Sequence, residues 1–471
     1  HCSVRRQRQM CIRDRYYEFF FGTAWAGGVF VPINIRLAPP EVAYWLNDSE
    51  AKILFIDAMF APMLKALEGS IPHVEQVIYL GDDAAPEGMH SYEALVAGAE
   101  PVPDADCGYE DLAGLFYTGG TTGRSKGVML SHRNLVVNSY NTISVLHYEN
   151  DARYLHAPPM FHIADCVAVF GQTQIGNSHY FIPAFTPDGT LDAIQRWQIT
   201  DTLLVPTMVN MTVNHPSVAD YDLSSLRHLA YGASPMPEAV IMRAMQVMPD
   251  VQFYHAYGQT ECAPLTSVNG PESHVFDGPM ANMYRSCGRS APGVLVEIRD
   301  ENDQEVPRGE VGEICVRGAN VMQGYWKLPE LTAETLRGGW LHSGDGGYMD
   351  ENGYIYVVDR VKDMIISGGE NIYSAEVESA VQMFPAVAEC AVIGIPDEKW
   401  GEAVHAIVRL KEGESATEEA IITHCREQIA GFKCPRSVAF VTEALPLSGA
   451  GKILKTELRK PYWEDKGKAV N

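Results

Sequence analysis

Between residues 50 and 260 the chain repeatedly sets a short apolar run, then an amphipathic stretch, then another apolar run. Runs of four to eight apolar residues without polar alternation read as strands buried on both faces, and the stretches between them as the covering helices of a parallel sheet. The strand candidates are Lys52–Ile56, Gln76–Leu80, Leu112–Tyr117, Tyr154–Ala157, Tyr180–Pro183, Thr202–Val205, His228–Tyr231 and Gln252–His255. Leu191–Gln198 and Pro237–Met248 are helix candidates between them. After residue 285 the texture changes: VLVEIRDENDQEVPRGEVGEICVRG alternates about turn-rich centres, which predicts antiparallel hairpins. A third texture, with the helix-like Thr417–Ile429, follows residue 361. The expected fold class is α/β. A large N-terminal body of mostly parallel sheets covered by helices carries an antiparallel β subdomain and spans residues 16–361. A small α+β C-terminal lobe takes residues 362–471.

Asp and Glu total 60 against 36 Lys and Arg, a net charge of −24. That balance argues against nucleic acid or an anionic membrane as partner, while leaving room for anions held by local loops. The ten cysteines show no CxxC and no zinc-like Cys/His spacing, which predicts reduced thiols and a cytoplasmic protein. Residues 1–15 carry five arginines without an initiator Met, and are expected to be a non-native leader in place of the true N-terminus. The following FFFGTAWAGGVFV is broken by Gly27, Gly28 and Pro32. It falls short of the ~20 residues that span a bilayer and reads as a helix ending at Gly27-Gly28, then a strand over Val29–Ile33, so no integral membrane segment is expected. No sequence feature sets an oligomeric state.

The segment most rich in chemistry is LFYTGGTTGRSKGVMLSH, residues 115–132. Glycines at 119, 120 and 123 allow successive backbone N–H groups to converge without Cβ clashes. Thr118, Thr121 and Thr122 add hydroxyl donors and Lys126 adds positive charge, together a phosphate cradle. It is not a Walker A loop, because Gly-x4-Gly-Lys-Ser/Thr is absent. Further motifs are YGASP (231–235), YHAYGQTE (254–261), WLHSGDGGY (340–348), VVDRVKDMIISGGENIYSAEVE (357–378), PLSGAGKILK (446–455) and PPMFHIAD (158–165). YGASP is no hydrolase elbow, since Met236 stands where the final Gly of G-x-S-x-G belongs.

The cradle and the motifs after it, in this order from about Tyr17 to Lys460, resemble the adenylate-forming acyl-CoA synthetase superfamily in its acyl-CoA ligase branch. Gly119 and Ser125 stand where the family usually has Ser and Pro. The resemblance implies that Thr118, Gly119, Gly120, Thr121, Thr122, Gly123 and Lys126 hold ATP phosphates. It implies that Gly232, Ala233 and Ser234 line the adenine and the acyl channel, their small side chains leaving room for ligand. Tyr257, followed by Gly258, would stack on adenine, Thr260 would bond the α-phosphate, and Glu261 would ligate Mg²⁺. Asp345 and Arg360 would bind the ribose hydroxyls, and Gly368 and Gly369 would lie along the pantetheine arm of CoA. Lys362 would be the hinge on which the C-terminal lobe swings. Lys452 would be the catalytic lysine, and His162 the aromatic gate between acyl site and thiol tunnel.

The activity so implied is that of an AMP-forming acid–thiol ligase using ATP, Mg²⁺ and CoA. A carboxylic acid, fatty or otherwise apolar, becomes an acyl adenylate with release of pyrophosphate, and the acyl group then passes to CoA with release of AMP. Two alternatives stand beside it: an adenylation enzyme that loads a carrier protein's phosphopantetheine, and a truncated, inactive nucleotide-binding homologue.

Overall fold

The computed structural model describes residues 12–118, 125–234, 236–360, 363–367, 370–397, 400–447 and 453–463. All eight strand candidates are strands, with ends shifted by no more than three residues. A seven-stranded sheet organises the body, in the order Arg289–Ser290, Leu265–Asn269, Gln252–Gly258, His228–Gly232, Asp201–Leu204, Arg153–His156, Ser178–Phe181. Its last five strands are mutually parallel and the first two are antiparallel additions at one edge. The helix Pro187–Trp197 illustrates the covering layer. Thr186 caps it by accepting from Gly189 N, Pro187 enters at its first turn, and Thr190, Leu191, Ala193 and Ile194 form its buried stripe. Full burial of Leu191 and Ile194 stabilises the contact by roughly 1.5–3 kcal/mol each.

Two expectations change. Leu112–Thr118 belongs to a separate three-stranded sheet, antiparallel to Lys126–Ser131, with Gly324–Tyr325 on the far side. The connection between the two strands is too short for the dozen or more residues a parallel crossover needs, so it closes as a hairpin. Nor do residues 29–33 form a strand. Phe30 makes a single isolated bridge to Gly114, its ring filling the space where a Gly114 side chain would stand, and Pro32 cannot donate to a ladder. The preceding helix, Ile12–Trp25, ends before Gly27 as expected and takes in residues 12–15 of the anticipated leader. Arg15 in it pairs with Glu93 at 3.1 Å.

The hairpins after residue 285 form an antiparallel sheet of Val294–Arg299, Gly312–Gly318, Leu341–Met349 and Ile355–Arg360. Its inner face shares one apolar core with Phe20, Phe30, Val128, Leu130 and Val169 of the body. The last sheet joins Glu370–Ile372, Ile365–Ser367, Gly401–Leu410 and Val387–Asp397, with Ser437–Val441 parallel to Gly401–Leu410. Ser374–Gln382 and Glu418–Gln428 close over it around Val377, Val392, Val404, Val408 and Ile421.

Candidate functional site

In an open parallel sheet the ligand crevice lies beyond the carboxyl ends of the strands. At that end Gly232 stands in register with Ala256 of the neighbouring parallel strand. A Cβ on Gly232 would lie 2.0 Å from the Ala256 carbonyl oxygen, and one on Gly258 would lie 1.8 Å from the Pro264 carbonyl oxygen. The missing side chain of Gly232 therefore admits the next strand's main chain, where the sequence had suggested room for ligand. Ala233 follows with φ 68, a left-handed conformation that a residue with a Cβ rarely adopts. Ser234 is half-buried.

Tyr257, one residue past the Gly232 pairing, donates its hydroxyl to Asp345 Oδ2 at 2.8 Å. Burial first, then the Asp345 carboxylate, hold the phenol well above its ordinary pKa, so it stays a donor. Asp345 is buried in Leu341–Met349, directly opposite Arg360 of the adjacent strand. A flat ring, a buried carboxylate and the backbone of an arginine thus converge from two different sheets. The Arg360 side chain lies outside the described residues.

Three residues on, the short turn Thr260–Cys262 carries a half-buried Thr260 and a buried Glu261. Tyr325 donates its hydroxyl to Glu261 Oε1 at 2.8 Å, and Lys126 Nζ lies 4.7 Å from the centre of the same ring. One phenol therefore joins the strand after the cradle to the carboxylate expected to hold metal. Main-chain bonds fix the turn. Met322 N donates to Glu261 O at 2.9 Å, and Asn320 Nδ2 donates to the carbonyls of Cys262 and Leu265, both at 2.9 Å. Sequence reading passed over Tyr325 and Asn320. Their signal was the turn-rich ANVMQGYW stretch, whose partners lie 55 to 64 residues away.

Thr118 is in register with Lys126, Ser367 with Glu370, and Leu447 with Ile453. These pairs bracket three of the motif segments. Gly119, Gly120, Thr121, Thr122, Gly123, Gly368, Gly369 and Lys452 lie between them, outside the described residues, as does Lys362. His162 is half-buried at the start of the helix Ile163–Gln174, where its Nδ1 accepts from Ala164 N at 3.2 Å. Behind that helix start runs a chain no motif announced. Asp165 Oδ2 meets His156 Nδ1 at 2.9 Å, His156 Nε2 meets His179 Nδ1 at 2.8 Å, and His179 Nε2 meets Thr173 Oγ1 at 3.1 Å. Burial, and then His156, push His179 down to about 3.

Two family models account for most of these residues: AMP-binding enzyme over 12–326 and AMP-binding enzyme C-terminal domain over 376–452. The chain belongs to the AMP-binding enzyme family. Among relatives of this AMP-binding enzyme, a feruloyl-CoA synthase of an Amycolatopsis species is 41% identical, covering 95% of this chain and 86% of its own. The fatty acid–[acyl-carrier-protein] ligase ScoC of Streptomyces coeruleorubidus is 35% identical, covering 97% and 86%. Among solved structures, ATP-bound MatB from Rhodopseudomonas palustris superimposes with a TM-score of 0.83 at 33% identity, covering 96% and 87%. The α/β architecture of large body and smaller C-terminal part is that of adenylate-forming enzymes. No helix among the described residues is long and apolar enough to cross a membrane.

Proposed function

We propose that this AMP-binding enzyme activates an apolar monocarboxylic acid, fatty or aryl, and that the motif residues take the following parts. The enzyme is an ATP-dependent, AMP-forming acid–CoA ligase that works through an acyl adenylate. A carboxylate is a poor acyl donor because its oxide leaves badly, so its attack on the α-phosphate of ATP makes AMP the leaving group. Two anions must meet in that step, and neutralising and aligning them is the main catalytic task.

The observation that carries this reading is the Tyr257–Asp345 bond at the strand ends. It sets an aromatic face and a carboxylate side by side, the pair a nucleoside needs for its base and its vicinal hydroxyls. Arg360 would supply donors to the ribose from the facing strand. Residues 118–123 and Lys126 would receive the phosphates. Glu261 suits Mg²⁺, because a hard cation that keeps water and phosphate ligands needs only one or two protein carboxylates, and Tyr325 takes up just one of its oxygens. When bound, that ion would offset the charge of the phosphates. Lys452 would bring its ammonium between carboxylate and α-phosphate. A swing about Lys362 would then withdraw it and present Gly368-Gly369 to the pantetheine arm, with His162 gating the thiol path. A cytoplasmic location is supported by the eight described cysteines, all free thiols.

ATP–pyrophosphate exchange across a panel of fatty, cinnamate-type and dicarboxylic acids tests the reading. Exchange is expected with the apolar monocarboxylates, followed by thioester formation on free CoA. Exchange with dicarboxylates alone would overturn the apolar assignment, and exchange with no acid would restore the inactive-homologue alternative. A second reading is favoured by the similarity to ScoC: transfer to a carrier protein. Thioester on a carrier phosphopantetheine but not on free CoA would establish it.

A further inference from the structure

The antiparallel sheet carries a cluster that adenylate chemistry does not use. Glu313 and Cys315 are two apart on Gly312–Gly318 and so share a face of that strand, and His342 pairs directly with Cys315 from Leu341–Met349. His342 Nδ1 lies 2.8 Å from Glu313 Oε2 and 3.4 Å from Cys315 Sγ, and one donor atom of each residue falls within 4.8 Å of the others. Cys315 is fully buried and His342 is 8% exposed.

The other side of the imidazole supplies an independent observation. His342 Nε2 is buried without a hydrogen-bond partner. It faces Asp303 Oδ1, likewise buried and without one, at 3.5 Å. An imidazole with one proton turns a lone pair toward a carboxylate whichever nitrogen carries it. A second proton would remove the conflict, and so would a cation at Nδ1, which leaves the ring's one proton on Nε2 toward Asp303. Metal-bound histidines usually direct their second nitrogen at a carboxylate in this way.

We propose that Glu313, Cys315 and His342 form a binding site for a divalent cation of zinc type, with Asp303 orienting the imidazole from behind. One thiolate, one imidazole nitrogen and one carboxylate match the borderline-soft preference of such an ion, with a fourth position left for water. To suit metal–ligand bonds of roughly 2.0–2.3 Å, the two separations from His342 need to open by at most about half an ångström, and the Glu313–Cys315 separation, within 4.8 Å, must settle at about 3.5 Å. As a free thiol Cys315 is pushed up to about 12, by burial first and then by Glu313. A coordinating dication reverses that balance and deprotonates the thiol outright. Counting unit charges, Zn²⁺ and Arg337 give +3, and Glu313, Asp303 and the Cys315 thiolate give −3. Arg337 already pairs with both carboxylates, at 3.3 and 3.4 Å. Occupancy would also reach the nucleotide side, since Glu313 Oε1 accepts from Gly344 N at 2.9 Å, one residue before Asp345.

The test uses the whole chain, stripped with a chelator and titrated with Co²⁺ as a coloured stand-in for zinc. One equivalent is expected to bind with a thiolate-to-metal charge-transfer band that Cys315→Ser lacks. Asp303→Asn is expected to keep the band and weaken affinity by about 10–100-fold. Zn²⁺ should displace the colour and raise the melting temperature of the parent chain. Failure to take up one equivalent, or an undiminished band in a folded Cys315→Ser, would overturn the site. If Cys315→Ser does not fold, the parent stoichiometry and the Asp303→Asn affinity still decide, and an unchanged affinity there also counts against it.

Discussion

On the proposed roles, the strand ends of the body and the three bracketed segments would serve different parts of the reaction, the first the nucleoside and the others the phosphates, the pantetheine arm and the catalytic lysine. At the strand ends two candidate side chains already hold partners, Tyr257 with Asp345 and Glu261 with Tyr325, and the Gly232 backbone lies against the Ala256 carbonyl. The segments between Thr118 and Lys126, Ser367 and Glu370, and Leu447 and Ile453 are each closed by an antiparallel pair at their base. Nucleoside recognition asks for fixed planes and hydroxyl acceptors, which sheets provide. Phosphate binding, pantetheine contact and lysine delivery would fall to the residues between those pairs. If the proposed roles hold, affinity would rest mainly on the first region and rate on the second.

The largest effect should come from the bracketed segments. Lys452→Ala is expected to slow adenylate formation by about 10²–10³-fold or more while sparing thioester formation from supplied acyl adenylate. Equal loss in the two half-reactions would dissolve the division between the regions. At the strand ends, Gly232→Ala should act through the fold. The 2.0 Å approach of the Ala256 carbonyl leaves no room for a methyl, and overpacking of this kind costs about 1–3 kcal/mol, read as a lower melting temperature. Unchanged stability with weakened ATP binding would return Gly232 to the ligand-lining role.

Acid should strike the body through its buried histidines. Burial is the chief cause holding His179 down to about 3 and His255 and His274 down to about 4. Because the folded values are depressed, the unfolded chain takes up protons from about pH 6.5 downward while the folded chain does not. Stability from these groups is complete above that pH and declines as pH falls toward 4, by on the order of a kcal/mol per unit for each. Denaturant melts at pH 7, 6 and 5 measure it, and a flat profile would show that these rings titrate normally. The smallest effect is expected from Tyr325→Phe. It removes one hydrogen bond to Glu261, about 1 kcal/mol, and should appear as a several-fold higher Mg²⁺ requirement with kcat at saturation nearly unchanged.

The candidate phosphate and ribose residues stood out in the sequence because such recognition restricts residue type. Gly/Thr/Lys after a buried strand, or a carboxylate between glycines, carry meaning at short range. What escaped depends on long-range pairing. Tyr325 meets Glu261 across 64 positions, and His342 reaches Glu313 across 29. The Asp165–His156–His179 chain stayed hidden because a histidine on an apolar strand looks the same whether it packs or relays. Gly232 carries a second meaning for a related reason: a sequence records that a side chain is missing, not that the Ala256 carbonyl fills the gap. The direction of Leu112–Thr118 was legible in the brevity of its connection, a cue outweighed by the run of parallel candidates around it.

The ring of Tyr325, lying over Lys126, doubles as a built-in magnetic probe. Protons near an aromatic face resonate upfield of their usual place, so the lysine ε-methylene should stand apart in an NMR spectrum of selectively labelled protein. Any rearrangement that draws the ammonium toward a triphosphate would carry those signals back downfield. If Lys126 meets phosphate as proposed, the pair would report that occupancy without a tag on the glycine-rich segment itself.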